Sequence, residues 1–474
     1  MDQNISYKYV IIGFGPSGLS VLDQLLSSGV RPQEIAIIGM QESKHKIEEY
    51  VNPFHKSSQS AISRGKELKT YGIAKKGVDT RTLEGPTESL ASYWGASHLP
   101  PIFLGREYSA FFPRRNIKNA VEANAKMFQI HEVKQGKFIE EFPTCNEVAS
   151  DNSRKRIARE WVENLETGFI HSRLSIGGHR YSNVGCASSG KCFQVCPSGA
   201  FWSPIKELNI LIQKNPNVNV IYGQVTEIDT VKKSISIITS PSVSFENLFL
   251  CAGSKNSIKI LRASKVVAEE INFRYTPVLM FPFLVSKVDE NDYNSTHVLA
   301  DLLLPTIEEQ KLKSLTQIYL PTENLAANIF SKLPKVLLKF LDLLPSQAIN
   351  LIACRIGIAM CFFEDVPSGD SRKSVLRSLR SPSGDLKKNL NFVEARLIQK
   401  IKVVALDGLS HHTGSVYLKS DPMNRGLNSE IFVKLREQGV YLADGLALTR
   451  IPPGPHTNTI CVLARCLVME VVNS

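Results

Sequence analysis

The clearest chemical signal in the sequence is a glycine-rich turn close to its N-terminus. Residues 13–18 (GFGPSG) have the spacing G-x-G-x-x-G, between a run of β-branched residues and a run with apolar residues at helical spacing. In such a turn the first glycine permits the tight bend, the second lets the backbone approach a pyrophosphate, and the third lets helix and strand pack closely. The N-terminus of the following helix offers free N–H groups to the phosphates. The predicted cofactor-binding residues of this turn are Gly13, Gly15, Pro16, Ser17 and Gly18.

Dinucleotide sites usually have an acidic residue at the end of the second strand, where it binds the ribose hydroxyls. The second predicted strand, residues 34–39, ends in Gly39, and the next acid is Glu42, three residues later. Glu42 is therefore the candidate ribose ligand, and a solvated loop glutamate is the alternative.

Three cysteines form a second chemical signal. Cys186, Cys192 and Cys196 have the spacing C-x5-C-x3-C-P, which matches a ferredoxin run with Ser189 in the second cysteine position. Three thiolates cannot hold a four-iron cube by themselves, but they can hold a three-iron, four-sulfur cluster. A cysteine-bearing turn without metal and a redox disulfide between Cys192 and Cys196 are alternatives. Zinc is less favoured, because no fourth ligand lies at finger spacing.

Side chains that suit proton transfer stand in the C-terminal part of the chain. His411 and His412 are adjacent, and His456 follows in a proline-rich turn. An imidazole suits general-base work because its pKa lies near neutrality. Asp444 lies at the end of a predicted strand that begins at Val440.

These features, in this order, resemble the glucose-methanol-choline (GMC) family of flavoprotein oxidoreductases. The resemblance comprises the glycine turn, the strand-turn-helix at residues 247–261, the His-His-x-Gly and Asp-Pro pattern at 410–422, and the strand at 440–445. It extends over nearly the whole chain and is patchy in the middle. It implies an α/β (α+β) fold with a discontinuous, Rossmann-like FAD-binding domain and an antiparallel-sheet substrate domain.

The resemblance also implies domain limits. The FAD-binding domain would take residues 1–270, with a cysteine-rich segment at 180–204, and the chain would return to it at 411–474. The substrate domain would take residues 271–410. Some sugar dehydrogenases of this type resemble the chain in using a cysteine-rich segment for a three-iron, four-sulfur cluster that relays electrons from the flavin.

Further cofactor contacts follow from the same resemblance. The segment at 92–97 matches a stretch that lies along the flavin, Val225 matches a backbone contact to the adenine, and the remaining positions match contacts to the ribose, the pyrophosphate and the rest of the cofactor. The positions implied are Trp94, Gly95, Ser97, Val225, Ala252, Gly253, Asp444 and Gly445.

In the mechanism that the resemblance implies, His411 takes the proton of a substrate hydroxyl while hydride passes to flavin N5. His412 is a further catalytic candidate. The family's second catalytic position falls at Pro455, which has no basic side chain, so the adjacent His456 is the candidate partner. We expect an FAD-dependent oxidoreductase that acts on alcohol or sugar CH–OH groups and passes electrons to an external acceptor. The alternatives are a flavin-binding scaffold or partner subunit without turnover, and an NADPH-using flavin reductase or monooxygenase.

The composition limits the class of protein and the kinds of partner that the chain can bind. The 474 residues are 43% hydrophobic and 21% charged, as in ordinary globular proteins, and the formal net charge is +11. This charge favours phosphorylated cofactors, acidic saccharides or anionic surfaces, whereas the absence of an arginine-rich tail argues against nucleic acid. With no signal peptide and no uncharged membrane-length run, a cytoplasmic location is expected. The basic, apolar segment at 323–363 predicts either peripheral membrane contact or a buried helix pair.

The remaining elements follow from periodicity. We predict strands over 7–13, 34–39 and 440–445, several more between 216 and 253, and a final helix from about Asn458. Residues 43–175 are rich in polar and turn-forming residues, which predicts an irregular segment wrapped around the core.

Overall fold

The structure is a computed structural model. The ranges that it describes are 5–39, 108–128, 130–132, 143–145, 153–164, 168–171, 202, 204–238, 240–266, 271–272, 274–275, 278–286, 300–308, 311–321, 354–363, 366–367, 382–393, 395–397, 403–405, 417–418, 421–425, 427, 429–454 and 456–473.

Helices in these ranges vary from 8 to 17 residues. They are α1 (Pro16–Ser27), α2 (Arg114–Met127), α3 (Ser153–Glu163), α4 (Pro204–Lys214), α5 (Ser254–Ala263), α6 (Pro382–Phe392), α7 (Glu430–Glu437) and α8 (Thr457–Asn473). Short 3-10 helices lie at Pro32–Glu34 and Gly445–Ala447.

The strands within the described ranges form two large sheets and three small ones. They are β1 (Ile5–Ile12), β2 (Ile35–Gly39), β3 (Ile130–Glu132), β4 (Pro143–Cys145), β5 (Ile170–His171), β6 (Asn219–Tyr222), β7 (Val225–Asp229), β8 (Ser234–Ile237), β9 (Ser240–Leu250), β10 (Ile271–Asn272), β11 (Arg274–Tyr275), β12 (Val278–Val285), β13 (Leu302–Glu308), β14 (Lys311–Tyr319), β15 (Ile356–Phe363), β16 (Val366–Pro367), β17 (Ala395–Leu397), β18 (Val403–Ala405), β19 (Tyr417–Leu418), β20 (Asp421–Arg425) and β21 (Val440–Leu442).

The first large sheet has a parallel part that carries the glycine turn. Its order is β6-β2-β1-β9-β8-β7, and β21 also pairs with β9. β1 is parallel to both β2 and β9, β2 is parallel to β6, and β21 is parallel to β9. The carboxyl ends of these strands therefore meet at one edge, which is where ligands bind in open α/β sheets. β7 and β8 extend the sheet as an antiparallel hairpin next to β9.

The core of this sheet joins segments that are far apart in the sequence. Val10, Ile11 and Leu250 are fully buried, and α8 packs against both α1 and α2. The same core contains residues from 9 to 38 and from 427 to 469. The C-terminal helix therefore belongs to the same packed unit as the glycine turn.

The second large sheet is antiparallel. Its order is β17-β12-β15-β14-β13-β5, and β18 also pairs with β12. One face carries a separate apolar core, in which Trp161 of α3 and Leu386 and Leu390 of α6 pack with Phe281 and Phe283 of β12. The predicted combination of a Rossmann-like sheet with an antiparallel sheet is thus present. The predicted domain limits at 270 and 410 stay predictions.

Two expectations about local structure are wrong. Residues 114–127 do not form an irregular wrap, because they form α2, which buries Ile117, Ala120, Val121 and Asn124. The buried helix pair expected within 323–363 is not formed at residues 356–363, which form the buried strand β15; residues 322–353 lie outside the described ranges. Among the helices that the structure describes, none has the length and apolarity needed to cross a membrane.

Candidate functional site

The glycine turn has the close contacts expected of a dinucleotide loop. Gly13 has φ +117°, a conformation that favours glycine, and its N–H donates to the carbonyl oxygen of Ile38 at 2.7 Å. A Cβ at position 13 would lie 2.3 Å from the carbonyl oxygen of Cys251. A Cβ on Gly18 would lie 2.0 Å from the carbonyl oxygen of Gly13. The first and third glycines therefore let β1, β9 and α1 pack directly on one another.

The second glycine differs from the other two, because its Cα faces open space. A Cβ on Gly15 would meet no atom within 4 Å. Gly15 is the N-cap of α1, Pro16 is the first helical residue, and no side chain caps the helix. The free N–H groups of the first turn therefore remain available to an anion. A pyrophosphate fits this place sterically and electrostatically.

A second open glycine follows β9. Gly253 has φ +79°, a Cβ there would meet nothing within 4 Å, and the residue caps the N-terminus of α5. Ala252 beside it is partly buried. Because β9 is the parallel neighbour of β1, Gly15 and Gly253 lie at the same edge of the sheet. A dinucleotide that crosses this edge meets backbone rather than side chain at both positions.

Asp444 lies behind this edge and is buried. Its carboxylate accepts hydrogen bonds from the Ser257 hydroxyl of α5 and, at 2.9 Å, from the N–H of Leu446. Burial raises the pKa of Asp444 to about 6, and the hydrogen bonds from Ser257, Leu446 and the Gly253 backbone only partly oppose that rise. Asp444 thus fastens the turn after β21 to the N-terminal part of α5. Gly445 follows it in the first position of a 3-10 helix.

Cys251 connects the glycine turn with Asp444. Its side chain is buried, and burial raises the pKa of its thiol well above the usual value, with a smaller contribution from the Asp444 carboxylate. A hydrogen bond with Ser17 acts in the opposite direction. The thiol is therefore protonated at neutral pH, and Cys251 serves as a packing residue between α1 and β9.

The end of β2, where an acid was expected, is filled by an aromatic ring. A Cβ on Gly39 would lie 2.8 Å from ring atoms of Phe14, the second residue of the glycine turn. The ring of Phe14 in turn contacts that of Tyr222 edge-to-face, with centroids 5.7 Å apart. Glycine stands at position 39 because Phe14 occupies the space that a side chain would need.

His456 lies directly before α8 and is buried. Its carbonyl accepts the N–H of Ile460 at 3.0 Å, which starts the helix. Burial lowers the pKa of the imidazole to about 4, and a hydrogen bond with the Gly454 backbone acts weakly against this. The imidazole is therefore neutral at pH 7, the protonation state that a proton acceptor needs.

A buried polar network, which the sequence analysis missed, fastens α1, α2 and α8 together. The Arg465 side chain is fully buried, and it donates to Asp23 Oδ2 and to Asn124 Oδ1, each at 2.6 Å, and to Gln24 Oε1 at 3.4 Å. Asn124 Nδ2 donates to Asn458 Oδ1 at 3.0 Å. The lone arginine inside the apolar stretch of the last helix was the available signal, because an arginine in such a place needs buried partners.

The structure brings together only part of the predicted site. Gly13, Ser17 and Gly18 meet the end of β9, and Asp444 joins them through Cys251 and Gly253. Val225 is buried at the start of β7. The predicted positions outside the described ranges are Glu42, Trp94, Gly95, Ser97, Cys186, Cys192, Cys196, His411, His412 and Pro455.

Those positions stay predictions. Within the described part of the chain, no three or more histidine, cysteine, aspartate or glutamate side chains lie together as they would to hold a metal. The predicted iron–sulfur segment lies outside that part and stays a prediction.

Comparisons with known proteins show the fold. No family model matches the chain, and no curated protein sequence matches it. Among solved structures, pyridoxine 4-oxidase from Mesorbium loti is similar in fold, with a TM-score of 0.53 and 12% sequence identity over 99% of this chain and 99% of that chain. At this identity the likeness concerns the fold alone. The mixed α/β architecture predicted from the sequence, with a Rossmann-like sheet and an antiparallel sheet, is confirmed.

Proposed function

We propose that this protein is an FAD-dependent oxidoreductase that oxidises an alcohol or sugar CH–OH group. The observation that carries the proposal is the pair of open glycines, Gly15 and Gly253, at the carboxyl edge of a parallel sheet, with the uncapped N-terminus of α1 beside the first of them. The fold shared with pyridoxine 4-oxidase is consistent with it.

Different residues of the chain are proposed to bind different parts of the cofactor. N–H groups of α1 neutralise the pyrophosphate, and Gly15 lets it approach the backbone. Asp444 and Ser257 hold the turn after β21 against α5, which keeps Gly253 open to the cofactor. FAD, when bound there, supplies the acceptor for the hydride that leaves the carbinol carbon.

Proton transfer is assigned to the histidines. His411 takes the hydroxyl proton of the substrate in this proposal, and the family resemblance is its only support. His456 is the proposed second base; its imidazole is neutral at pH 7, but a pKa lowered to about 4 by burial makes it a weak base, so this role too rests on the family resemblance. His412 remains a further candidate. Electrons leave to an external acceptor, and Cys186, Cys192 and Cys196 would be the ligands of a three-iron, four-sulfur cluster that would supply a relay to it.

The test mixes the protein rapidly and anaerobically with a panel of alcohols and sugars. Flavin absorbance then measures how fast each of them reduces the bound flavin. We expect at least one of them to bleach the wild-type protein. A positioned general base is worth roughly 10²- to 10⁴-fold. His411→Ala should slow bleaching within that range while the protein retains FAD, and His456→Gln should slow it less.

Other outcomes distinguish the rival functions. Bleaching by NADPH alone would indicate a flavin reductase or monooxygenase. A yellow protein that neither alcohols, sugars nor NADPH can reduce would indicate a flavin-binding scaffold or partner subunit. Either result would overturn the proposed reaction.

A further inference from the structure

The place where a dinucleotide site normally holds its ribose ligand is closed in this protein. General dinucleotide sites put the adenosine ribose against an acid at the end of the second strand. Here that strand ends in Gly39, and the ring of Phe14 occupies the space above it. Phe14 is only 6% exposed, so its ring is packed in place. A side chain at position 39 would require the Phe14 ring to move, because its Cβ would lie 2.8 Å from the ring.

An exposed aromatic ring lies directly beside this closed position. Tyr222 is the register partner of Gly39 in the parallel pair of β2 and β6, and the next residue, Gly223, donates its N–H to the Gly39 carbonyl at 2.9 Å. The Tyr222 ring contacts Phe14 at an interplanar angle of 83°. It is nevertheless 52% exposed.

The surroundings of Tyr222 are partly apolar and partly polar. Tyr222 lines a shallow groove with Leu208, Ile212 and Val220, and the amide residues Asn209 and Gln213 complete the lining. A half-exposed ring beside such a groove suits a planar heteroaromatic base, because the base can stack on the ring and neutral amide groups suit its polar edge.

We infer that the adenosine half of FAD is held on an aromatic platform of Phe14 and Tyr222, with the adenine stacked on Tyr222, instead of by a strand-end carboxylate. This inference rests on the proposed function, because it requires the pyrophosphate to lie at Gly15. Phe14 fixes the orientation of the Tyr222 ring, and Gly39 is kept small so that Phe14 can do so.

The experiment titrates FAD, and separately ADP, into FAD-free protein by calorimetry. Tyr222→Ser removes the ring, Tyr222→Phe keeps it, and Val231→Ser changes an 87% exposed apolar residue in the turn between β7 and β8. Loss of a stacking ring weakens binding by roughly tenfold to a hundredfold, and we expect this for both ligands with Tyr222→Ser. Tyr222→Phe should stay within about threefold of wild type, because the stacking surface is retained. Val231→Ser should match wild type.

Thermal unfolding of the ligand-free variants separates binding from folding. Because Tyr222 is half exposed, the unfolding temperature of Tyr222→Ser should lie within a few degrees of that of Tyr222→Phe. Wild-type affinity for FAD and ADP in Tyr222→Ser would overturn the platform and leave the proposed function standing. Failure of the wild-type protein to bind either ligand would overturn both.

Discussion

The hydroxyl of Ser257 donates a hydrogen bond to the buried carboxylate of Asp444, 187 positions later in the sequence. The bond joins the first turn of α5 to Asp444, two residues after the end of β21, and so fixes α5 beside Gly253. A buried carboxylate without this donor would lose one of the few groups that compensate its lost hydration. The pair therefore links the stability of the C-terminal segment to the position of α5 at the carboxyl edge of the parallel strands.

Ser257→Ala should destabilise the FAD-free protein more at pH 8 than at pH 5. Asp444 has a pKa raised to about 6, so its carboxyl is charged at pH 8 and largely protonated at pH 5. A hydrogen bond to a charged group contributes about 1.5–3 kcal/mol and a neutral one about 1 kcal/mol. Urea unfolding at both pH values measures the difference. Ser27→Ala, which removes an exposed hydroxyl bonded only to a helix carbonyl, is the control and should show no pH dependence.

His456→Gln should reduce the loss of stability on acidification. Burial lowers the folded-state pKa of His456 from 6.5 to about 4, so the unfolded chain takes up its proton at a higher pH than the folded one. Stability from the neutral imidazole is present above pH 6.5 and is lost as the pH falls towards 4. Between pH 7 and pH 4.5 wild type should lose about 2 kcal/mol more than the variant. Equal losses in the two proteins would show that His456 is not buried in its neutral form.

Substitutions at two glycines of the turn should affect folding and FAD binding differently. Gly15→Ala should leave the unfolding free energy of the FAD-free protein within about 1 kcal/mol, because Gly15 has φ −73° and open space around its Cα. It should nevertheless weaken FAD binding, since the methyl group occupies the path of the pyrophosphate. Gly18→Ala should cost about 2 kcal/mol or more, because its Cβ would meet the Gly13 carbonyl at 2.0 Å. Similar effects on stability from both changes would contradict this assignment.

Arg465→Met should be among the most destabilising single changes in the chain. It leaves the Asp23 carboxylate and the buried Asn124 amide without their guanidinium partner, and breaking a buried pair typically costs about 3–5 kcal/mol. Arg31→Met is the control, because Arg31 is 70% exposed and its ion pair with Glu34 should contribute less than about 1 kcal/mol. Chemical unfolding curves of the two variants give their unfolding free energies. Equal losses of unfolding free energy would show that the buried network stabilises the protein no more than the exposed ion pair does.

Local patterns explain which parts of the fold could be predicted. The spacing of Gly13, Gly15 and Gly18 within six residues is itself the signal for the turn, and the structure gives the first and third the close contacts expected of them. Helix α2 was not predicted, because its buried positions 117, 120 and 121 are set among many polar residues. Strand β15 lies in a short apolar run, for which periodicity does not separate helix from strand.

Contacts between distant segments explain what could not be predicted. Gly39 appeared to be a missing acid, and only the packed position of Phe14 gives the reason for the glycine. The burial of Arg465 depends on Asp23 and Asn124, which are more than three hundred positions away in the chain. The histidine and cysteine assignments at 411, 412, 186, 192 and 196 stay predictions.

The most direct test of the account is the FAD content of the purified protein, together with calorimetric titration of FAD into the stripped chain. We expect a yellow protein that binds one FAD per chain, with affinity reduced in Gly15→Ala and no comparable loss in Val231→Ser. A colourless protein that shows no binding of added FAD would contradict the assignment of the α1 N-terminus as a pyrophosphate site, and with it the proposed oxidoreductase.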